Sequence, residues 1–285
     1  MNTNPTPNPN PNTKHDSGYP AERDASDGVG DGLSDNQSTG NAIDSSWRYK
    51  PARDTGLTGR ARLTSTEREA GLVTWLTSRL WWAGCGGYLR RRHGLKVTGT
   101  EHAPTAPPFV VVANHSSHLD ALVIAAALGW RARDHLLPLA AGDTFFQTPA
   151  KAFMAAVWLN ALPMWRKRMG RHSLGKLRDR LIGEPCGFVL FPEGTRSRTG
   201  EFGRFKPGIG MLVAGQDVPV IPAWIGGAYE AWPPDQKRPS KHPINVTFGK
   251  PLSFADATND RAGWNRISDE LESAVRELGG ISPID

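Results

Sequence analysis

With 285 residues, 38% of them hydrophobic and 22% charged, the chain has room for one large domain or two small ones. Its two cysteines, Cys85 and Cys186, stand far apart in no C-x-x-C or Cys/His spacing, which argues against a disulfide framework or a zinc module and for buried thiols in a reducing compartment. The net charge is +6, and because residues 1–62 hold seven basic against eight acidic groups, the remainder carries an excess of +7. That excess suits an anionic partner: lipid headgroups, a phosphorylated small molecule or nucleic acid.

Residues 1–62 open on NTNPTPNPNPN and continue in Asp, Gly, Ser and Asn with few apolar residues. Such a segment buries too little surface to offset its ordering entropy, so a disordered tail is predicted. It lacks the apolar core and cleavage site of a secretory signal, and it is no transit peptide.

Next, Thr66 and Glu69 make a capping-box pattern ahead of GLVTWLTSRLWWAG, which predicts a helical segment within 63–93. Leu72, Val73, Trp75, Leu76, Leu80 and Trp82 share one broad arc of the helical wheel, with Thr74, Thr77 and Ser78 opposite. Arg79 falls inside the arc and keeps the apolar run well short of a membrane span. Two readings stand. The helix lies in a membrane interface, its indoles at headgroup depth and Arg90, Arg91 and Arg92 on lipid phosphates, or it simply covers a sheet.

Short apolar runs then alternate with helical patterns. Strands are predicted at FVVVA (109–113), LLPLAA (136–141), ALPMW (161–165), GFVLF (187–191), VPVIPAWI (218–225) and INVTF (244–248). Helices are predicted near 119–128, 147–158, 171–183, 207–215 and 261–278. This alternation indicates an α/β fold, a mostly parallel central sheet flanked by helices, in a single domain over 94–285.

In such sheets reactive groups sit where strands end and helices begin, and NHSSHLD (114–120) occupies such a junction. On a continuous helix five residues separate His115 and Asp120 by about 140°, so a strand-to-helix turn is needed to bring them together. A carboxylate on one imidazole nitrogen orients the ring and fixes its tautomer, as a general base requires. Neither serine lies in a G-x-S-x-G elbow, so the nucleophile is expected to be a substrate hydroxyl. His115 and His118 form a bare H-x-x-H without the glutamate of the zinc-protease pattern, and no metal is expected.

Downstream of the GFVLF strand come Glu193, Gly194, Thr195 and Arg196, followed by Phe205 and Lys206. Strand, glycine turn, hydroxyl and arginine make a plausible oxyanion or phosphate site. Between the two motifs LPMWRKRMGRH places Arg166, Lys167, Arg168 and Arg171 after a short strand, as either a solvated basic face or a phosphate clamp.

Taken together, NHSSHLD, FPEGTRS and VPVIPAWIGG resemble the first, third and fourth sequence blocks of the glycerolipid acyltransferase family, the first being its HX4D motif. The resemblance spans roughly 95–255. It implies His115 as catalytic base and Asp120 as its partner, with Glu193, Gly194, Thr195 and Arg196 helping to bind the acceptor's phosphate and glycerol and Asn114 and Lys206 also binding substrate. Arg166 takes the place of the second block's arginine, although Trp165 stands where many members carry an acidic residue.

The implied reaction moves an acyl group from acyl-CoA or acyl carrier protein to 1-acyl-glycerol 3-phosphate, making phosphatidate, with no metal, flavin or nucleotide cofactor and no nucleic acid partner. Other acceptors remain open: glycerol 3-phosphate, another lysophospholipid or a lyso-aminolipid. From another class, a non-catalytic lipid-binding protein would also use the basic surface. The enzyme is expected peripherally at the cytoplasmic face of the cell membrane.

Overall fold

Apolar runs of β-branched residues pair into one sheet, and the helical patterns between them cover its two faces. The computed structural model describes residues 52–69, 71–142, 146–164 and 171–282. In chain order these contain α1 (Gly59–Leu63), α2 (Leu72–His93), β1 (Lys96–Thr98), β2 (Phe109–Ala113), α3 (Asp120–Ala127), α4 (Trp130–Asp134), β3 (Leu136–Ala141) and α5 (Pro149–Phe153), which runs on into a π-helical turn, Met154–Trp158. There follow β4 (Leu162–Met164), α6 (Arg171–Gly183), β5 (Gly187–Leu190), α7 (Gly208–Val213), β6 (Val220–Gly226), α8 (Ala228–Ala231), β7 (Asn245–Phe248) and α9 (Arg261–Leu278).

The seven strands order as β1-β7-β6-β2-β5-β3-β4, and among these neighbours only β6 and β7 run antiparallel. Central β2 is buried along its whole length, as a parallel strand covered on both faces must be. Its side chains alternate between layers. Phe109, Val111 and Ala113 pack with Trp82 and Leu89 of α2 and Val123 and Ile124 of α3. Val110 and Val112 pack with Leu177 and Leu181 of α6, Ile209 and Leu212 of α7, and Ile267, Leu271 and Val275 of α9. Each large aliphatic or aromatic side chain buried this way contributes about 1.5–3 kcal/mol.

The spacing of Ile267, Leu271 and Val275, four residues apart, puts them on one face of α9. Asp260 starts that helix by accepting the Gly263 N–H at 2.8 Å. Gly210 is the close-approach point of α7 with α9: a Cβ there would lie 2.4 Å from the Trp264 Cα. A side chain at this position would push the two helices apart.

Several expectations are corrected. The Thr66/Glu69 capping box does not form: α2 begins at Leu72 after Gly71 with no side-chain cap, and Glu69 Oε1 accepts the Arg53 N–H at 3.0 Å instead. The predicted tail boundary at residue 62 is too late. Residues 1–51 lie outside the described residues, but Asp54 is buried, Arg62 pairs with it at 2.6 Å, and α1 follows. Strand β1 escapes the apolar-run criterion because it is three residues long, with its ends exposed, and forms by pairing with β7.

The two faces of α2 are also reversed relative to an ordinary covering helix over its first turns. Leu72, Val73, Trp75, Leu76 and Leu80 are exposed. Thr77 and Ser78 turn inward to the π-helical turn: Ser78 Oγ donates to the Trp158 carbonyl at 3.3 Å, and Thr77 Oγ1, which donates back to the Val73 carbonyl at 2.8 Å, lies 3.3 Å from that of Val157. Only the later part, from Trp82 through Gly86 and Leu89 to His93, is buried against the sheet.

Candidate active site

His115 and Glu193 stand 78 residues apart in sequence, and sheet register brings them together. Strands β2 and β5 are parallel neighbours, with Val112 opposite Leu190, so the loops leaving their C-terminal ends emerge side by side. Strand β6 flanks β2 on the other edge, with Ala113 opposite Ala223. The site therefore crowns three adjacent strand ends, the usual location in an open α/β sheet.

The turn expected between His115 and Asp120 is present: α3 starts at Asp120 itself. His115 Nδ1 lies 2.8 Å from Asp120 Oδ2. The same oxygen accepts the backbone N–H groups of Ser116 at 2.7 Å and Ser117 at 2.8 Å. Asp120 is fully buried, and its Oδ1 has no hydrogen-bond partner among the described residues. A carboxylate accepts only, so His115 Nδ1 carries the proton of that contact and the Nε2 lone pair is the one presented outward. The His115 side chain retains 23% exposure, and Phe191 stacks on its ring with centroids 4.3 Å apart and planes 17° from parallel.

Asn114 faces the sheet rather than the crevice. Its Oδ1 accepts the Ile225 N–H at 2.8 Å and its Nδ2 donates to the Ile225 carbonyl at 3.0 Å, which locks the β2 end to β6. Glu193 is buried too: Oε1 accepts the His115 N–H at 2.7 Å and Oε2 the Gly203 N–H at 3.2 Å. Burial pushes the Glu193 carboxyl up to about 7, against the pull of those two donors and with the negative charges of Asp120 and Glu272 adding to the rise. From the other side, the Ser197 N–H donates to the His115 carbonyl at 2.8 Å.

The rest of the FPEGT turn lies against the Lys206 side chain. Gly194 has φ +77°, and a Cβ on it would meet Lys206 Nζ at 2.6 Å, so the glycine both permits the left-handed backbone and lets the ammonium close over the turn. Lys206 is held by its own N–H on the Pro192 carbonyl at 3.0 Å, while α9 anchors this loop through Glu272, whose Oε2 accepts the Phe205 N–H at 2.8 Å. Thr195 is exposed. Arg196 Nη1 hydrogen-bonds the His118 ring, and that ring reaches the Pro234 carbonyl through Nε2 at 3.3 Å and tilts against Trp232. Burial and the Arg196 charge hold the His118 imidazole below the ordinary histidine range.

His115, Asp120, Glu193, Gly194 and Lys206 thus lie together above the ends of β2 and β5, and His118 is a neighbour on which Arg196 rests. Arg166, with Trp165, Lys167 and Arg168, lies outside the described residues. Sequence reasoning did not single out Phe191, which ends the apolar GFVLF run and looked like one more strand residue, or Gly203, whose role is a backbone N–H. For Phe191 the available signal was position, an aromatic at the last strand residue before the PEGT turn.

Comparison with known proteins gives the arrangement a context. Residues 94–226 match the family model Acyltransferase. The human 1-acyl-sn-glycerol-3-phosphate acyltransferase alpha is 27% identical over 189 residues, 65% of this chain and 64% of that protein. The Ovis aries protein of the same name is 31% identical over 131 residues, 45% of this chain and 43% of that protein. A probable 1-acyl-sn-glycerol-3-phosphate acyltransferase of Mycoplasma genitalium is 28% identical over 195 residues, 65% and 70% of the two chains. The chain therefore spans less than two thirds of the human and ovine relatives. The crystal structure of the 1-acyl-sn-glycerophosphate acyltransferase PlsC from Thermotoga maritima shares the fold, with a TM-score of 0.51 at 21% identity over 71% of this chain and 81% of that one.

Proposed function

The chain belongs to the acyltransferase family, and we propose that it moves a fatty acyl group from a thioester, acyl-CoA or acyl carrier protein, to the free hydroxyl of 1-acyl-glycerol 3-phosphate, yielding phosphatidate. The observation that carries this reading is the His115–Asp120 pair at 2.8 Å, set on the strand ends beside the turn that bears Arg196 and Lys206. The names of the relatives favour the same acceptor.

In the proposed step, His115 Nε2 takes the acceptor hydroxyl proton as the oxygen attacks the thioester carbonyl. A C–O bond forms, the C–S bond breaks, and the imidazolium returns its proton to the departing thiolate. Asp120 stabilises the imidazolium while it exists. Arg196 and Lys206 hold the acceptor's phosphate, Arg196 through its planar fork of donors. The Gly194 N–H is already taken by the Phe191 carbonyl at 3.0 Å, so Thr195 at the outer edge of the turn is the better placed donor for the oxyanion. All of these groups belong to the protein, and the acyl thioester enters as a substrate.

Release of free thiol from acyl-CoA is the direct assay, expected only when lysophosphatidate is added. Thiol release that ignores the acceptor, or none with either donor type, would sink the reading. Arg196→Ala is expected to raise KM for lysophosphatidate by about 10- to 100-fold, the worth of a hydrogen bond to a charged group, while rates with a phosphate-free monoacylglycerol stay as they were. Equal losses on both acceptors would remove Arg196 from phosphate recognition.

A lysolipid acceptor and the exposed face of α2 both favour peripheral docking on a membrane, for which we propose the cytoplasmic face of the cell membrane. No helix among the described residues is long and apolar enough to cross a membrane. Leu72 is 78% and Leu80 68% exposed, and Phe153 at the end of α5 with Met154 and Trp158 of the adjoining π-helical turn add to the same set of exposed apolar residues. The exposed Arg90–Arg92 run supplies charge for lipid phosphates, whereas Arg79 is paired with Asp134 at 3.0 Å. Replacing Leu76 and Leu80 together by glutamate should cut partitioning onto anionic vesicles by at least about 100-fold, since each buried leucine is worth about 1.5–3 kcal/mol; unchanged sedimentation with vesicles would refute the docking face.

A further inference from the structure

We propose that Glu193 is a positioning residue for the base and not a ligand of the acceptor: its buried carboxylate ties the backbone of His115 to the Gly203 loop. The inference rests on the acyl-transfer reading above and concerns how the base is held. Both oxygens already have protein donors, the His115 N–H at 2.7 Å and the Gly203 N–H at 3.2 Å. The Gly203 backbone also packs directly on the carboxylate, because a Cβ there would lie 3.0 Å from Oε2.

The other end of the same residue is gripped as well, with the Ser197 N–H donating to the His115 carbonyl at 2.8 Å. His115 is therefore fixed by four contacts from the loop after β5 and its own turn: Glu193 and Ser197 on its main chain, Phe191 on its ring face, and Asp120 on its ring edge. With both carboxyl oxygens occupied, neither is left for a phosphate-bearing acceptor. The cations Arg196 and Lys206 are the groups of this turn that suit one.

The Gly203 loop is itself pinned. Glu272 of α9 accepts the Phe205 N–H at 2.8 Å and pairs with Arg276 at 3.1 Å, and Ser268 Oγ donates to the Lys206 carbonyl at 3.2 Å. Glu193 thereby transmits the rigidity of α9 to the backbone of the base. An error of about 1 Å in such a placement reduces a rate by about 100-fold.

Steady-state kinetics of the full chain bearing Glu193→Gln or Glu193→Ala provides the test, with lysophosphatidate as acceptor. The expected result is a kcat lowered by about 10- to 100-fold in Glu193→Ala, KM for lysophosphatidate within about twofold of wild type, and partial rescue in Glu193→Gln, whose amide oxygen still accepts the His115 N–H. A raised KM with kcat retained would overturn the proposal in favour of acceptor binding. A lowered Tm with both constants retained below it would reduce Glu193 to a structural part.

Should neither variant fold, the wild-type protein supplies its own measurement. The amide resonances of His115 and Gly203 are expected to titrate together with a midpoint near the value to which burial pushes the shared carboxyl, about 7. Amides that titrate independently of each other would overturn the bridge. Loss of acyl transfer to every acceptor in the wild-type assay would instead remove the function proposed above, so the two failures are distinguishable.

Discussion

His115→Ala is expected to lower acyl transfer by about 1,000-fold or more, within the range that a positioned general base contributes, while the protein stays folded. The two halves of that expectation have separate physical grounds. Catalysis is lost because Nε2 is the outward lone pair of a ring already oriented through Nδ1 by Asp120 at 2.8 Å. The fold is retained because what ties this turn to its neighbours is the main chain of His115, whose N–H and carbonyl are held by Glu193 and Ser197 whatever the side chain.

Removing the ring forfeits its stack on Phe191, about 0.5–1.5 kcal/mol, and the space left is not sealed, since the side chain is 23% exposed. Water can therefore fill part of it. The check is thiol-release rate together with Tm. A purified, folded variant that keeps a tenth of the wild-type rate would remove His115 from the chemistry.

The strands were legible where an apolar run is continuous. Phe109–Ala113 and Leu136–Ala141 fall on their predicted bounds because a continuous β-branched or leucine run between turn residues has few alternatives in an α/β chain. The contact between His115 and Asp120 was legible for the opposite reason: the two are costly to place at a strand end unless they meet. What the sequence does not contain is adjacency. Val112 pairs with Leu190 through a register set by the whole sheet, and that pairing alone decides that the Glu193 turn lies over His115.

Direction is the second thing missing. Asn114, Glu193 and Arg196 read alike as polar groups in strand-end turns, yet Asn114 points at β6, Glu193 at two backbone amides, and Arg196 at His118. The reversal of α2 belongs here too. A helical wheel separates Leu72, Leu76 and Leu80 from Thr77 and Ser78, but it does not say which face meets the π-helical turn, where the Val157 and Trp158 carbonyls lie 3.3 Å from the two hydroxyls. The failed capping box has a similar cause, because Glu69 is claimed by the Arg53 amide before it can reach the helix.

Asp120→Asn should lower kcat by about 100-fold and should preserve the geometry of the base, a split that follows from the unequal use of the two carboxylate oxygens. Oδ2 accepts His115 Nδ1, the Ser116 N–H and the Ser117 N–H, while Oδ1 has no partner among the described residues. An asparagine will therefore place its oxygen at the Oδ2 position, since an amide nitrogen there would face three donors. The Nδ1–H tautomer and ring orientation survive, and the buried NH2 group left at the Oδ1 position costs about 1–3 kcal/mol of stability.

What disappears is the negative charge that stabilises the imidazolium during transfer, so the loss should sit in kcat and leave KM for both substrates nearly unchanged. Asp120→Ala removes orientation as well as charge and orphans two buried backbone amides; it should fall as far as His115→Ala, with the double variant no slower than either because the pair acts as a unit. Proton NMR of the Nδ1–H resonance, present in Asp120→Asn and absent in Asp120→Ala, checks the structural half. If Asp120→Asn instead matched Asp120→Ala in rate with that resonance lost, tautomer control would be the main contribution of Asp120; a variant as fast as wild type would mean that its charge plays no part in the transfer.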